Sequence, residues 1–165
     1  MAESDLDKKR REALQLLHPV CKSLMTDICK ENIAKLISAL GEVDVSVMQD
    51  IQQYILFPIQ NGLHLKNLSE SLLCSLCEVL VLILKKTEIT VTGIFFDIFH
   101  PLMFNVTPIE SHNKVSDLME DTKAAVVQAV KCLLESCTEK VLSDFYIYDN
   151  LPAIGQVVAF LLSLA

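Results

Sequence analysis

Three prolines sit inside stretches that otherwise read as helix, and they recur at nearly constant spacing. Leu16-Leu17-His18-Pro19-Val20, Ile55-Leu56-Phe57-Pro58-Ile59 and Ile98-Phe99-His100-Pro101-Leu102 share one pattern: two aliphatic or aromatic residues, then His or Phe, then Pro, then an aliphatic. The copies lie 39 and 43 residues apart, and a weaker one, Leu151-Pro152-Ala153-Ile154, follows 51 residues later. A proline inside a helix removes a hydrogen bond and costs about 3 kcal/mol. Its return at matching places in alternate helices points to a kink that the architecture needs. One further helical segment separates successive prolines, and helix pairs repeating every 40 to 47 residues or so are the signature of HEAT and armadillo solenoids. The competing reading is an ordinary helical bundle in which the prolines coincide.

Stop and start signals cut the chain into about seven helical segments. Leu14, Leu17, Cys21, Leu24 and Ile28 recur at spacings of three and four, which predicts a first helix from about Ser4 to Thr26. Ile33, Leu36, Ile37 and Leu40 predict a second, stopped at Gly41. Asp44 caps a third, whose stripe of Val47, Ile51, Tyr54 and Ile55 ends at Pro58, Asn61 and Gly62. Ser69 precedes a fourth with Leu72, Leu73, Leu76, Leu80, Ile83 and Leu84, apolar around most of its circumference, so it belongs between neighbours rather than against water. A fifth runs from about Thr90 to Phe104 behind a β-prone Ile89-Thr90-Val91-Thr92 opening. After an irregular stretch from Asn105 to Val115, Ser116 opens a sixth. A short segment follows Thr138, and Asn150 caps a last helix with Pro152 in its first turn.

Composition narrows the function. Hydrophobic residues make up 52% of the 165, and only 4 Gly and 5 Pro are present, against about 12 and 8 expected from average usage. Hairpin-rich sandwiches and barrels are disfavoured for want of turn residues. No GxGxxG or GxxxxGK[ST] cluster is present to cradle a phosphate. A net charge of -7 with only two arginines argues against a nucleic-acid surface. The single basic run, Lys8-Lys9-Arg10-Arg11, reads as a solvated first turn, with nuclear import as the sharper alternative. The most apolar stretch, Leu72 to Leu84, is too short to cross a bilayer. With no apolar signal core at the start, the expected compartment is reducing, cytosol or nucleus, and the six cysteines then form no disulfide framework.

Little in the sequence carries chemistry. Cys74-Ser75-Leu76-Cys77 is a CxxC, but no second closely spaced pair completes a zinc site, and a thioredoxin-like motif wants a strand before it. Spacing of i,i+3 on a leucine-rich helix is core spacing, so a buried structural pair is the reading. His18 and His100 follow from the repeat, and no HExxH or GxSxG is present. No catalytic residue, cofactor or metal is expected. Phe95, Phe96 and Phe99, with Phe145, Tyr146 and Tyr148, offer more apolar surface than one helical stripe needs. Phe95, Phe99, Tyr146 and Tyr148 are therefore candidate anchors for a partner segment, with core packing as the alternative role.

Met48-Gln49-Asp50-Ile51-Gln52-Gln53-Tyr54-Ile55-Leu56-Phe57-Pro58-Ile59 resembles the Tel-two-interacting protein one family, the large HEAT-repeat subunits of the TTT co-chaperone complex. Leu17-His18-Pro19-Val20-Cys21 upstream supports it. So do Lys123-Ala124-Ala125-Val126-Val127-Gln128-Ala129, Phe145-Tyr146, Leu151-Pro152-Ala153-Ile154-Gly155 and Ala159-Phe160-Leu161-Leu162 downstream, all in the family's order. The resemblance implies an all-α, right-handed HEAT/armadillo-like α-solenoid of about three to four helix pairs. It further implies a non-enzymatic scaffold that works with the Hsp90 machinery to mature and stabilise phosphatidylinositol-3-kinase-related protein kinases (PIKKs), in cytoplasm and nucleus. Its implied partners are the other TTT subunits, Hsp90-linked co-chaperones and those kinases, with no nucleic acid and no membrane.

The expected organisation is a charged N-terminal segment, 1–13, and a HEAT-like repeat domain, 14–165, incomplete at its C-terminus. Its Ala159 to Ala165 end is expected to expose an apolar face that promotes self-association. Two other classes compete with the scaffold reading: an unrelated helical-repeat adaptor, and a cysteine- or zinc-dependent enzyme built on Cys74 and Cys77.

Overall fold

Capping residues set where the helices begin. In the computed structural model, which describes residues 2–106, 118–146, 155, 157–159 and 162, the Ser4 side chain accepts from the Asp7 N–H and opens α1 (Asp5–Thr26). The Cys29 thiol does the same for α2 (Lys30–Glu42) and Asp44 for a single turn, α3 (Val45–Met48). Ser69 opens α5 (Glu70–Leu84) and Thr138 opens α8 (Glu139–Asp144). Three further helices are α4 (Gln52–Leu63), α6 (Thr92–Val106) and α7 (Glu120–Ser136). Ser116, Asn150 and Pro152 lie outside the described residues.

One expected helix divides. The segment opened by Asp44 breaks after Met48, and α4 starts afresh at Gln52. The break lets two glutamine side chains reach the linker that follows α5. Gln49 donates to the Glu88 carbonyl at 2.9 Å and accepts the Glu88 N–H at 2.7 Å, as a neighbouring strand would. Buried Gln52 donates to Thr87 Oγ1 and to the same carbonyl. Nor do Pro58 and Gly62 end the helix, because both lie inside α4. A Cβ at Gly62 would stand 3.1 Å from Leu76 Cδ1, so the missing side chain lets α4 approach α5 closely.

The helices pack in two layers. Within pairs, α1 lies on α2, α4 on α5 and α6 on α7; along the stack, α1 meets α4, α4 meets α6, α2 meets α5 and α5 meets α7. Each helix thus finds its main partners in its own pair or the adjacent one, the connectivity of an all-α solenoid rather than of a closed bundle. Pro19, Pro58 and Pro101 all fall in the first layer, α1, α4 and α6. The apolar circumference of α5 is explained by its place between α2, α4 and α7. One continuous core runs through the stack, including Leu17, Leu36, Ile55, Leu80, Phe99 and Val130, each fully buried. Among the described residues, every buried side-chain N or O atom has a hydrogen-bond partner.

The linkers between pairs meet along one edge. Beyond the Gln49 contact, Ile89 donates to the Ser136 carbonyl at 2.9 Å and accepts from the Thr138 N–H at 3.0 Å, a parallel bridge with Cys137. Ile89, the first of the β-prone residues before α6, is therefore spent on this bridge, and α6 starts only at Thr92. At the front of the stack α1 runs unbroken through residues 5–13. Lys9 pairs with Asp5 and Asp44, Arg10 with Asp7 and Asp50, and Arg11 with Glu3. Most of the basic run is thus engaged: Lys9 ties α1 to the start of α3, and Arg10 ties it to the break between α3 and α4. Among the described residues no helix is long and apolar enough to cross a membrane.

Candidate docking face

The residue before each proline occupies the same place in each repeat, and that place faces outward: His18, Phe57 and His100 are all exposed. Two of the three are polar, which fits an exposed site. The third is a phenyl ring left 54% exposed. Tyr54, one helical turn earlier on α4, is 37% exposed, and its Oη lies 3.2 Å from His18 Nδ1. Burial pushes the Tyr54 phenol above its ordinary value, with the Cys21 thiol adding to the effect. On α6 the His100 ring stacks on Phe96 at 5.4 Å.

A groove of about 670 Å³ opens between these helices, with Met25 and Cys21 from α1, Tyr54 and Phe57 from α4, and Asp97 from α6 among its walls. A second hollow of about 680 Å³, lined by Leu14, Gln15 and Pro19 together with the charged Asp7, Arg10 and Arg11, shares the His18–Tyr54 pair with the first as a common wall. The walls are largely apolar. Burial pushes the Cys21 thiol up to about 11, leaving it a neutral, weakly polar lining group.

The aromatic candidates from the sequence divide. Phe95 and Phe99 are fully buried. Their rings stack at 5.7 Å, and Phe145 meets Phe95 at 4.8 Å. Both therefore fill the core, Phe95 against the Phe145 ring at the end of α8, and neither presents a ring to a partner. Tyr146, next to Phe145 in sequence, is 80% exposed. Tyr148 lies outside the described residues. Tyr54 and Phe57 were missed because the stripe through Val47, Ile51 and Ile55 reads as core. Aligning the three proline motifs would have found Phe57: a position that holds histidine in two copies faces solvent, so the phenylalanine in the third does too.

The CxxC lies on the opposite layer. Cys77 is buried, and that burial, with Cys74 beside it, pushes the thiol up to about 12. Cys74 lies 3.6 Å from Thr122 Oγ1 on α7. Among the described residues no group of three or more His, Cys, Asp or Glu side chains could hold a metal ion. Val158 and Leu162 are exposed, while most of the expected apolar end from Ala159 onward lies outside the described residues.

A family model described as the TTI1 N-terminal TPR domain matches residues 14–165. TELO2-interacting protein 1 homologs of Mus musculus and Homo sapiens are each 32% identical over 155 residues, 93% of this chain. The chain spans 14% of the length of those relatives. No solved structure gives a significant match. With the family model spanning nearly the whole repeat stack and both relatives aligned across it, the chain belongs to the TTI1 N-terminal TPR domain family.

Proposed function

We propose that the chain is a non-enzymatic helical-repeat scaffold of the TTT co-chaperone type, contributing to Hsp90-dependent maturation and stability of PIKK-family kinases in cytoplasm and nucleus. Its partners on this reading are a TELO2-like subunit, the remaining TTT subunit and the kinases they serve. The observation that carries the proposal is the family match across the whole helix stack. The stack also leaves an aromatic, apolar groove open on one layer, the form in which repeat proteins hold extended partners. Tyr146 and the Tyr54–Phe57 pair are the proposed anchors, since a few exposed aromatics carry most of the energy in such contacts.

Affinity purification of the tagged chain from cells, read by quantitative mass spectrometry, tests this. Enrichment of a TELO2-type protein and of PIKK-family kinases is the expected result. Enrichment of partners from neither group would replace the proposal with the unrelated adaptor. Release of partners by Tyr146→Ala or Phe57→Ala, with the fold retained, would place the contact on these rings.

A further inference from the structure

Both arginines of the chain, Arg10 and Arg11, line the second hollow. Its apolar walls are Leu14, Pro19 and Tyr54, and among the described residues Asp7 is the one acidic member of the lining. The two guanidiniums are held differently. Arg10 is clamped, donating to Asp7 at 2.9 Å and to Asp50 at 2.8 Å. Arg11 has a single ion-pair partner among the described residues, Glu3, which lies before α1 and accepts at both carboxylate oxygens, 2.9 and 2.7 Å from Nη1. The Arg11 side chain stays 54% exposed. Since Glu3 engages only Nη1, the Nε and Nη2 donors are left for a second carboxylate.

A wholly apolar occupant of this hollow would cover two guanidiniums and return no acceptor to them. A basic one would meet like charge. A carboxylate set one helical turn from aliphatic side chains answers both demands, and Glu3 shows within the molecule that Arg11 takes a carboxylate. Exposed ion pairs of this kind hold weakly, so a carboxylate that arrives with apolar neighbours exchanges for Glu3. We propose that the second hollow docks an acidic amphipathic segment of a partner protein, with a carboxylate on Arg11 and aliphatic side chains against Leu14, Pro19 and Tyr54. The chain's net charge of -7 opposes such a segment only at a distance. Salt screens that field within about 8 Å, and at contact the local arginines decide. The proposal rests on the protein-binding reading above and gives it a place and a chemistry.

Fluorescence anisotropy on the 165-residue chain at physiological salt tests it. The probe is a fluorescein-labelled amphipathic peptide of leucine and glutamate, about fourteen residues or four helical turns. Beside it stand a version with lysine for glutamate and one with serine for leucine. The leucine–glutamate peptide is expected to bind about tenfold more tightly than either. Arg11→Glu, at an exposed position, is expected to weaken it about tenfold with the circular dichroism spectrum retained. Lys131→Glu, an identical charge change on the exposed surface of α7, is expected to leave binding unchanged. Glu3→Gln removes the competing carboxylate and is expected to tighten binding about threefold, whereas Glu135→Gln, again on α7, is not.

Equal losses for Arg11→Glu and Lys131→Glu would reduce the effect to general attraction and overturn the site. So would equal binding of the lysine or the serine peptide, no gain from Glu3→Gln beyond that of Glu135→Gln, or no saturable binding. Co-purification of a TELO2-type protein that survives Arg11→Glu would leave the scaffold reading standing while removing this hollow as its docking site. Peptide binding without that co-purification would do the reverse.

Discussion

Replacing Phe99 by alanine separates a core role from a docking role. The ring is fully buried, stacked on Phe95 at 5.7 Å with the two planes 10° apart. Truncation removes its transfer energy, leaves a cavity and breaks an aromatic pair, together about 3 to 5 kcal/mol. For a chain of this size each kcal/mol is worth about 2 to 4 °C in Tm, so Tm is expected to fall by roughly 6 to 20 °C. In urea the midpoint should move down by roughly 2 M with the slope unchanged, as for a loss of packing without a change in the unfolded chain. Phe57→Ala is the internal control: its exposed ring should cost no more than about 0.5 kcal/mol while weakening partner binding. A loss below about 1 kcal/mol for Phe99→Ala, with partner binding abolished, would refute the assignment of Phe99 to the core and restore it as an anchor.

Other outcomes follow from single residues. Pro19 is exposed, so Pro19→Ala gives the Gln15 carbonyl its donor back at little packing cost, and Tm should rise by several degrees, part of the roughly 3 kcal/mol penalty of a helical proline being recovered; a fall would show that the fold itself needs the proline. Gly41→Ala has open space around it and should stabilise by about 1 kcal/mol. Gly62→Ala meets Leu76 and Ile28 and should fall short of that gain, as measured by urea midpoints. The Asp44 carboxyl is held down to about 2 by bonds to Ser46 and to Lys9. Its contribution is therefore complete above the unfolded value near 3.9 and fades as pH falls towards about 2. The advantage of the parent chain over Asp44→Asn should shrink across that window and stay flat above it. Cys77, whose thiol sits near 12, should resist iodoacetamide in the folded chain at mildly alkaline pH, whereas labelling as fast as a free thiol would contradict its burial.

Much of the architecture was legible because proline and capping chemistry are local. Ser4, Asp44, Ser69 and Thr138 mark helix starts that the structure keeps, and Pro19, Pro58 and Pro101, expected in alternate helices, fall in α1, α4 and α6, which form one layer. Contacts between distant residues were not legible. Gln49 and Gln52, on either side of the break between α3 and α4, bond to Glu88 some 40 positions away, a pairing that no local propensity encodes. The assignment of Phe95 and Phe99 as anchors failed for a related reason. Besides stacking on each other, they are covered by distant residues, Phe145 against Phe95 among them, which the periodicity of α6 does not reveal. The groove itself exists only once α1, α4 and α6 lie side by side, so its residues are scattered through the sequence in positions that read as stripe or repeat.

The most direct test of the protein-binding face is site-specific photo-crosslinking. A photoreactive phenylalanine analogue is placed at Phe57 in the groove and, in a separate chain, at exposed Glu135 on the opposite layer. After irradiation in cells, adducts are identified by mass spectrometry. The expected result is adducts to a TELO2-type subunit or a PIKK-family kinase from position 57 and none of these from position 135. The same adducts arising only from position 135, or no adduct to either class from position 57 in cells where the chain co-purifies with them, would contradict the assignment of the proline-bearing layer as the docking face.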